Sequence, residues 1–200
     1  LAKGFQSYRG VKRRQEVIGE IGGVTVIDDF AHHPTAVRLT LQALRMRFGG
    51  RRIWGIFEPR SNTSRRNVFQ AEYADAFAIP AYGDSGTNSA DIIVIAPPQN
   101  LDRIPPSERF DARLLVDTLR GRGVESFLWG DLDSATPEQI AEVIASQIAT
   151  NVMPKDVVAI LSNGGFGGLH HRLMDKLKTR FAAPSRGMTT STPSSPTLST

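Results

Sequence analysis

Two hundred residues, 40% of them hydrophobic, can bury one substantial core, and the length favours a single domain over two. The absence of cysteine excludes disulfides, thiolate metal sites and cysteine nucleophiles. No apolar run approaches the ~20 residues that span a bilayer and no signal-peptide pattern opens the chain, so the expectation is a cytoplasmic protein with no membrane partner. The net charge of +4 arises from 24 basic against 20 acidic residues, with arginine pairs at 13–14, 51–52 and 65–66. An anionic partner suits this balance. No basic stripe with interleaved aromatics or nucleic-acid reader motif accompanies it, so nucleic acid is not expected, whereas nucleotide phosphates explain the charge equally well.

From residue 15 to about 182, short apolar runs alternate with amphipathic stretches, the pattern of a mostly parallel α/β sheet. Strands are expected at 16–20, 24–27, 52–57, 92–96, 126–129 and 157–161. The first two flank Gly22-Gly23 and read as a hairpin, which makes one strand antiparallel in a six-stranded Rossmann-like sheet. Helices are expected at 35–48, 67–77, 111–121, 137–150 and 169–181, on both faces. Val37, Leu41, Leu44 and Phe48 line one face of the first. Asp111 precedes the third as a cap, and Gly121 or Gly123 stops it. Residues 79–90, IPAYGDSGTNSA, read as a surface insertion. From residue 183 onward the composition collapses to Ser, Thr and Pro, so 1–182 is expected to fold and 183–200 to be a disordered tail.

The densest polar segment is Asp28-Asp29-Phe30-Ala31-His32-His33-Pro34-Thr35. It lies between an arriving strand and a helix whose first turn accommodates Pro34. In a parallel sheet such loops sit at the carboxyl ends of strands, where ligands bind. Its acids and Thr35 also suit helix capping, and its histidines suit ordinary hydrogen bonding. Metal binding is disfavoured, because no further cluster completes a tetrahedral ligand set. A second loop, Ser162-Asn163-Gly164-Gly165-Phe166-Gly167-Gly168, also joins a strand to a helix. It lacks the lysine of a GxxxxGK[ST] phosphate loop, and reads either as an anion-accepting backbone or as a flexible turn.

Taken in order, GVKRR at 10–14, DDFAHHPT at 28–35, FEPRSNT at 57–63 and SNGGFGG at 162–168 resemble the C-terminal domain of the Mur ligases, ATP-dependent amide-forming enzymes of peptidoglycan metabolism. FEPRSNT and SNGGFGG resemble most the branch joining UDP-N-acetylmuramate to the murein tripeptide L-alanyl-γ-D-glutamyl-meso-diaminopimelate. The L-alanine-adding branch, which shares DDFAHHPT, is the alternative. A nucleotide- or anion-binding module without catalysis is a rival reading from a different class.

The resemblance implies two partner domains, one for the UDP-sugar and one carrying the phosphate loop and the ligands of Mg2+, with this domain closing over them. It implies that ATP phosphorylates the muramyl carboxylate before the incoming amine attacks, so that this chain alone is inactive. By the same likeness, Arg14, with Arg13 beside it, contacts the nucleotide, Asp29 holds the ribose and His32 lies near the reacting groups as base or electrostatic partner. Arg60, Ser61 and Asn62 would face the carboxylates of the acceptor peptide, with Asn163 and Gly164 across the crevice. Glu58 would bind the acceptor ammonium or pair with Arg60.

Overall fold

A computed structural model describes residues 12–81, 84–132 and 134–182. The tail at 183–200 and the first two residues of GVKRR lie outside the described residues. The chain opens with β1 (Glu16–Ile21) and β2 (Val24–Asp29), paired antiparallel, as the glycine pair requires: Gly22 and Gly23 take φ of +59° and +79°. There follow α1 (Pro34–Arg47), β3 (Ile53–Phe57), α2 (Gln70–Phe77), a two-stranded ribbon of β4 (Pro80–Ala81) and β5 (Asp84–Asn88), and β6 (Ile92–Ile95). The chain continues through α3 (Ala112–Gly121), β7 (Glu125–Leu128), α4 (Pro137–Asn151), β8 (Val157–Leu161) and α5 (Leu169–Phe181). The main sheet has six strands in the order β1-β2-β8-β3-β6-β7, all pairs parallel except the first.

Alternation along the central strands divides the interior into two cores. Ile53 and Phe57 of β3, with Val157, Ala159 and Leu161 of β8, face a core closed by Val37, Leu41, Tyr73, Phe77 and Leu115. Trp54, Ile56, Val158 and Ile160 point to the opposite face and meet Ile140, Ile144, Ile148, Leu169 and Leu173. Strands buried on both faces have no polar side, which explains why β3 and β8 read as continuous apolar runs.

Element ends differ from the sequence expectation where local hydrogen bonds intervene. β2 runs two residues further, carrying Asp28 and Asp29 inside the strand, because β8 pairs with both. Neither acid caps α1; that position is His33, whose Nδ1 accepts from the Thr35 amide at 3.4 Å. Asp111 caps α3 as expected, accepting from the Leu114 amide at 2.9 Å. The helix expected at 67–77 is divided into a 3₁₀ turn, Asn67–Phe69, and α2. Gln70 at the junction is tied to the Asp111 backbone by both ends of its amide. Within the 79–90 segment the ribbon leads into Ser89 and Ala90, both fully buried.

This strand order places the site. The crossover from β2 to β3 uses α1 on one face, whereas that from β7 to β8 uses α4 on the other and inserts β8 between β2 and β3. Chains leaving the sheet on opposite faces open a crevice at the carboxyl ends of these strands. Three polar segments converge there: 28–35 after β2, 58–66 after β3 and 162–168 after β8.

Candidate functional site

The walls of the crevice are built by the turn that precedes β1. Arg13 and Gln15 adopt left-handed backbone, φ +57° and +49°, a strained choice for side chains of this kind. Asp29 over-determines the turn: one carboxylate oxygen accepts from the Gln15 amide at 2.8 Å, the other from the Ala31 amide at 2.8 Å and the Thr40 hydroxyl at 3.3 Å. Asp29 is thus 2% exposed, and much of its capacity serves the fold. It nonetheless lines a groove of 920 Å³ with Arg14, Gln15, Ala36, Leu39, Thr40 and Arg47. Arg14 is exposed beside the Phe30 ring. The groove therefore joins an apolar helix face to a cationic rim, with a carboxylate among its lining residues.

Sequence reasoning placed the two adjacent arginines together, and the structure separates them. Arg13 turns inward: Nε donates to Asp28 at 3.1 Å, and Nη2 donates to the carbonyls of Ser162 at 2.7 Å and Gly164 at 2.9 Å. Asp28 also lies 3.1 Å from His170 Nε2. Burial pushes the His170 pKa down, against the pull of Asp28.

His32 is half-buried, and its Nδ1 lies 3.0 Å from the Phe30 carbonyl. A carbonyl only accepts, so Nδ1 is the donor in this contact and Nε2 is the nitrogen left for another partner. Tyr73 donates its hydroxyl to the His32 carbonyl, and the Phe30 ring meets the imidazole edge-on, fixing the residue from two sides. Positioned imidazole with a free nitrogen is suited to accept a proton or to face developing charge.

On the other side of the crevice, Arg60 lies across Gly164. A Cβ built on Gly164 would stand 2.4 Å from Arg60 Nη1, so the close approach requires glycine. Asn163 beside it is half-buried with its side-chain oxygen buried and unpartnered. Ser162 donates its hydroxyl to Glu58 and accepts from the Gly164 amide at 2.9 Å. Burial raises the Glu58 pKa, outweighing the Ser162 bond and the nearby Arg60 and Arg13. Ser61 and Asn62 are engaged within their own loop: Ser61 Oγ accepts from the Ser64 amide, and Asn62 Oδ1 accepts from Arg65.

The structure thus gathers Arg60, Asn163 and Gly164 at one locus and Arg14 and Asp29 at another, with His32 presented by the loop after β2. Sequence reasoning missed the inward role of Arg13 and the Glu58–Ser162 pair, which follow from the pairing of β8 between β2 and β3. No three His, Cys, Asp or Glu side chains come together to hold a metal ion among the described residues. No described helix is long and apolar enough to cross a membrane.

An open α/β sheet with polar loops gathered at its topological switch point defines a ligand-binding domain of the Rossmann-like class. Residues 13–164 match the family described as Mur ligase, glutamate ligase domain. The chain belongs to the Mur ligase family and constitutes its C-terminal domain. It is 34% identical over 179 residues to the UDP-N-acetylmuramate:L-alanyl-γ-D-glutamyl-meso-2,6-diaminoheptandioate ligase of Haemophilus influenzae, covering 89% of this chain and 33% of that protein. It is 37% identical over 116 residues to the UDP-N-acetylmuramate:L-alanine ligase of a Synechococcus species, covering 58% of this chain and 20% of that one. The crystal structure of a murein peptide ligase from Psychrobacter arcticus superposes with a TM-score of 0.64 at 30% identity, over 88% of this chain and 32% of the other. The chain spans about a third of the length of the Haemophilus relative.

Proposed function

We propose that this chain is the closing domain of an ATP-dependent, ADP-forming ligase that joins UDP-N-acetylmuramate to L-alanyl-γ-D-glutamyl-meso-diaminopimelate in cytoplasmic peptidoglycan recycling. The observation that carries this reading is Arg60 laid across the backbone of Gly164, which sets a cation over the loop after β8, next in sequence to half-buried Asn163. A peptide with several carboxylates and a free amine offers the matching groups, since a guanidinium grips a carboxylate in two parallel hydrogen bonds. The 34% identity to the Haemophilus ligase over most of the chain supports the same choice.

ATP, when bound with Mg2+, would supply activation of the muramyl carboxylate, the phosphate loop and the Mg2+ ligands coming from a partner domain. In this reading Arg14 meets the nucleotide phosphates from the rim of the 920 Å³ groove. Asp29 turns toward a ribose hydroxyl, which would displace the long 3.3 Å bond from Thr40. His32 Nε2 accepts the proton of the attacking amine or faces the charge that develops there. Arg60 and Asn163 hold the acceptor, and the desolvated Glu58 draws its ammonium. Ser61 and Asn62 shape the loop that carries Arg60, and they meet the peptide once Arg65 and Ser64 release them.

The test is ADP release by the purified gene product given ATP, UDP-N-acetylmuramate and tripeptide. Release that depends on both substrates is expected. Release driven by free L-alanine instead would assign the chain to the alanine-adding branch, and tight ATP binding with no ligation would make it a binding module.

A further inference from the structure

We propose that Arg13 is a positioning residue for the acceptor side of the crevice, a role distinct from that of its neighbour Arg14 at the nucleotide groove. The proposal rests on the ligase reading above. Three acceptors converge on one guanidinium: the Asp28 carboxylate and the carbonyls of Ser162 and Gly164. Two carbonyls of one loop turned toward the same point repel each other unless a cation stands between them. A planar fork serves three acceptors in set directions, which the point charge of lysine does not.

The surroundings hold the guanidinium in place. The Arg13 amide donates to Glu16 at 2.8 Å, its carbonyl accepts from the Phe30 amide at 2.9 Å, and its guanidinium carbon stands 5.2 Å from the Phe30 ring centroid. Left-handed backbone at Arg13 and again at Gln15 accompanies a difference between these neighbours: Arg13 is half-buried against Asp28 and the loop after β8, while Arg14 is exposed. Such strain persists only where several bonds enforce it.

What Arg13 grips is the segment that receives Arg60. The Ser162 and Gly164 carbonyls flank Asn163, Ser162 donates to Glu58, and Arg60 rests on the Gly164 backbone. Releasing the loop therefore moves three groups of the acceptor subsite together. The groove of Arg14 and Asp29 is lined by α1, by Glu16 and Val17 of β1 and by the turn before it, and the Arg13 side chain is absent from its lining.

Two measurements decide the matter. In the gene product, Arg13→Lys and Arg13→Met should raise KM for the tripeptide about tenfold or more, with KM for ATP changed by less than about twofold, and lysine should not rescue. Arg14→Ala should do the reverse. In the 200-residue chain itself, both Arg13 variants should accelerate amide hydrogen exchange at Gly164, whose N–H donates to Ser162, at least about tenfold, with α1 unchanged as an internal control of folding. A rise confined to KM for ATP, or full rescue by lysine, would overturn the proposal. Unchanged exchange overturns it whatever the gene product ligates. Accelerated exchange in a gene product without tripeptide ligation instead refutes the ligase reading and leaves Arg13 holding the loop.

Discussion

His32 follows β2 and Glu58 follows β3, both at the carboxyl ends of the sheet. The Phe30 carbonyl accepts from His32 Nδ1, so Nε2 is the ring nitrogen left for another partner. His32→Ala should lower kcat of the gene product about a hundredfold, the usual scale of a lost proton acceptor, with the melting temperature of the chain within about 2 °C. A kcat within twofold of the parent, at about that precision, would remove His32 from the chemistry.

Glu58 carries a stability signature. Burial raises its folded pKa above the ordinary 4.5. A raised carboxyl contributes stability fully below its unfolded pKa and loses that contribution as pH rises through the folded value. Glu58→Gln keeps an acceptor for Ser162 without the charge. It should therefore melt above the parent at pH 7.5 and lose that advantage as pH falls toward 4, followed by circular dichroism; lower melting at pH 7.5 would contradict the assigned cause. At this scale the sequence told little: Arg13 and Arg14 are identical neighbours, and only the backbone at 13 and 15 decides which one turns inward.

Among the elements, the start of α5 is the most constrained. Gly167 has φ +54°, and a Cβ there would stand 2.0 Å from the Pro137 carbonyl oxygen at the start of α4. Gly167→Ala should cost about 2 to 4 kcal/mol, the strain of left-handed alanine plus a backbone clash with no flexible partner to yield, measurable by urea unfolding. Gly164→Ala meets only the movable end of Arg60. It should leave stability within about 0.5 kcal/mol while raising KM for the tripeptide. Equal destabilisation by the two substitutions would show that the loop is one rigid unit.

Strands and helices were legible as elements because β-branched runs and i, i+3, i+4 spacing are local properties. β8 and α5 matched in extent, and the Gly22-Gly23 hairpin was correctly placed. The break at Gln70 was not legible, since it depends on the Asp111 backbone 41 positions away. The extension of β2 through Asp29 likewise depends on pairing with β8.

For the whole molecule, the strand order explains both the visibility of the site and its hidden parts. Each polar loop announced itself in sequence by composition. Their meeting did not, because insertion of β8 between β2 and β3 is a property of topology rather than of any segment. Buried polar residues alone do not mark such a site. Asp156, 4% exposed and bonded to Arg52, Trp54 and the Met153 amide, lies at the amino end of β8, where it holds the sheet together.

In the proposed reading, the groove of Arg14 and Asp29 is one wall of the nucleotide site, and a partner domain supplies the other. Calorimetry of the isolated chain with ATP should detect no binding tighter than about 1 mM, because the favourable contacts of a single wall do not offset lost translational freedom. Binding at about 10 μM or tighter would mean that this domain holds the nucleotide unaided.

The most direct measurement is the mass of the product formed when the gene product meets ATP, UDP-N-acetylmuramate and an equimolar mixture of tripeptide and L-alanine. The expected product is the UDP-muramyl tripeptide, with Arg60→Ala depressing its formation. Predominant UDP-muramyl-L-alanine, or tripeptide ligation indifferent to Arg60, would contradict the assignment of this crevice to a carboxylate-bearing peptide.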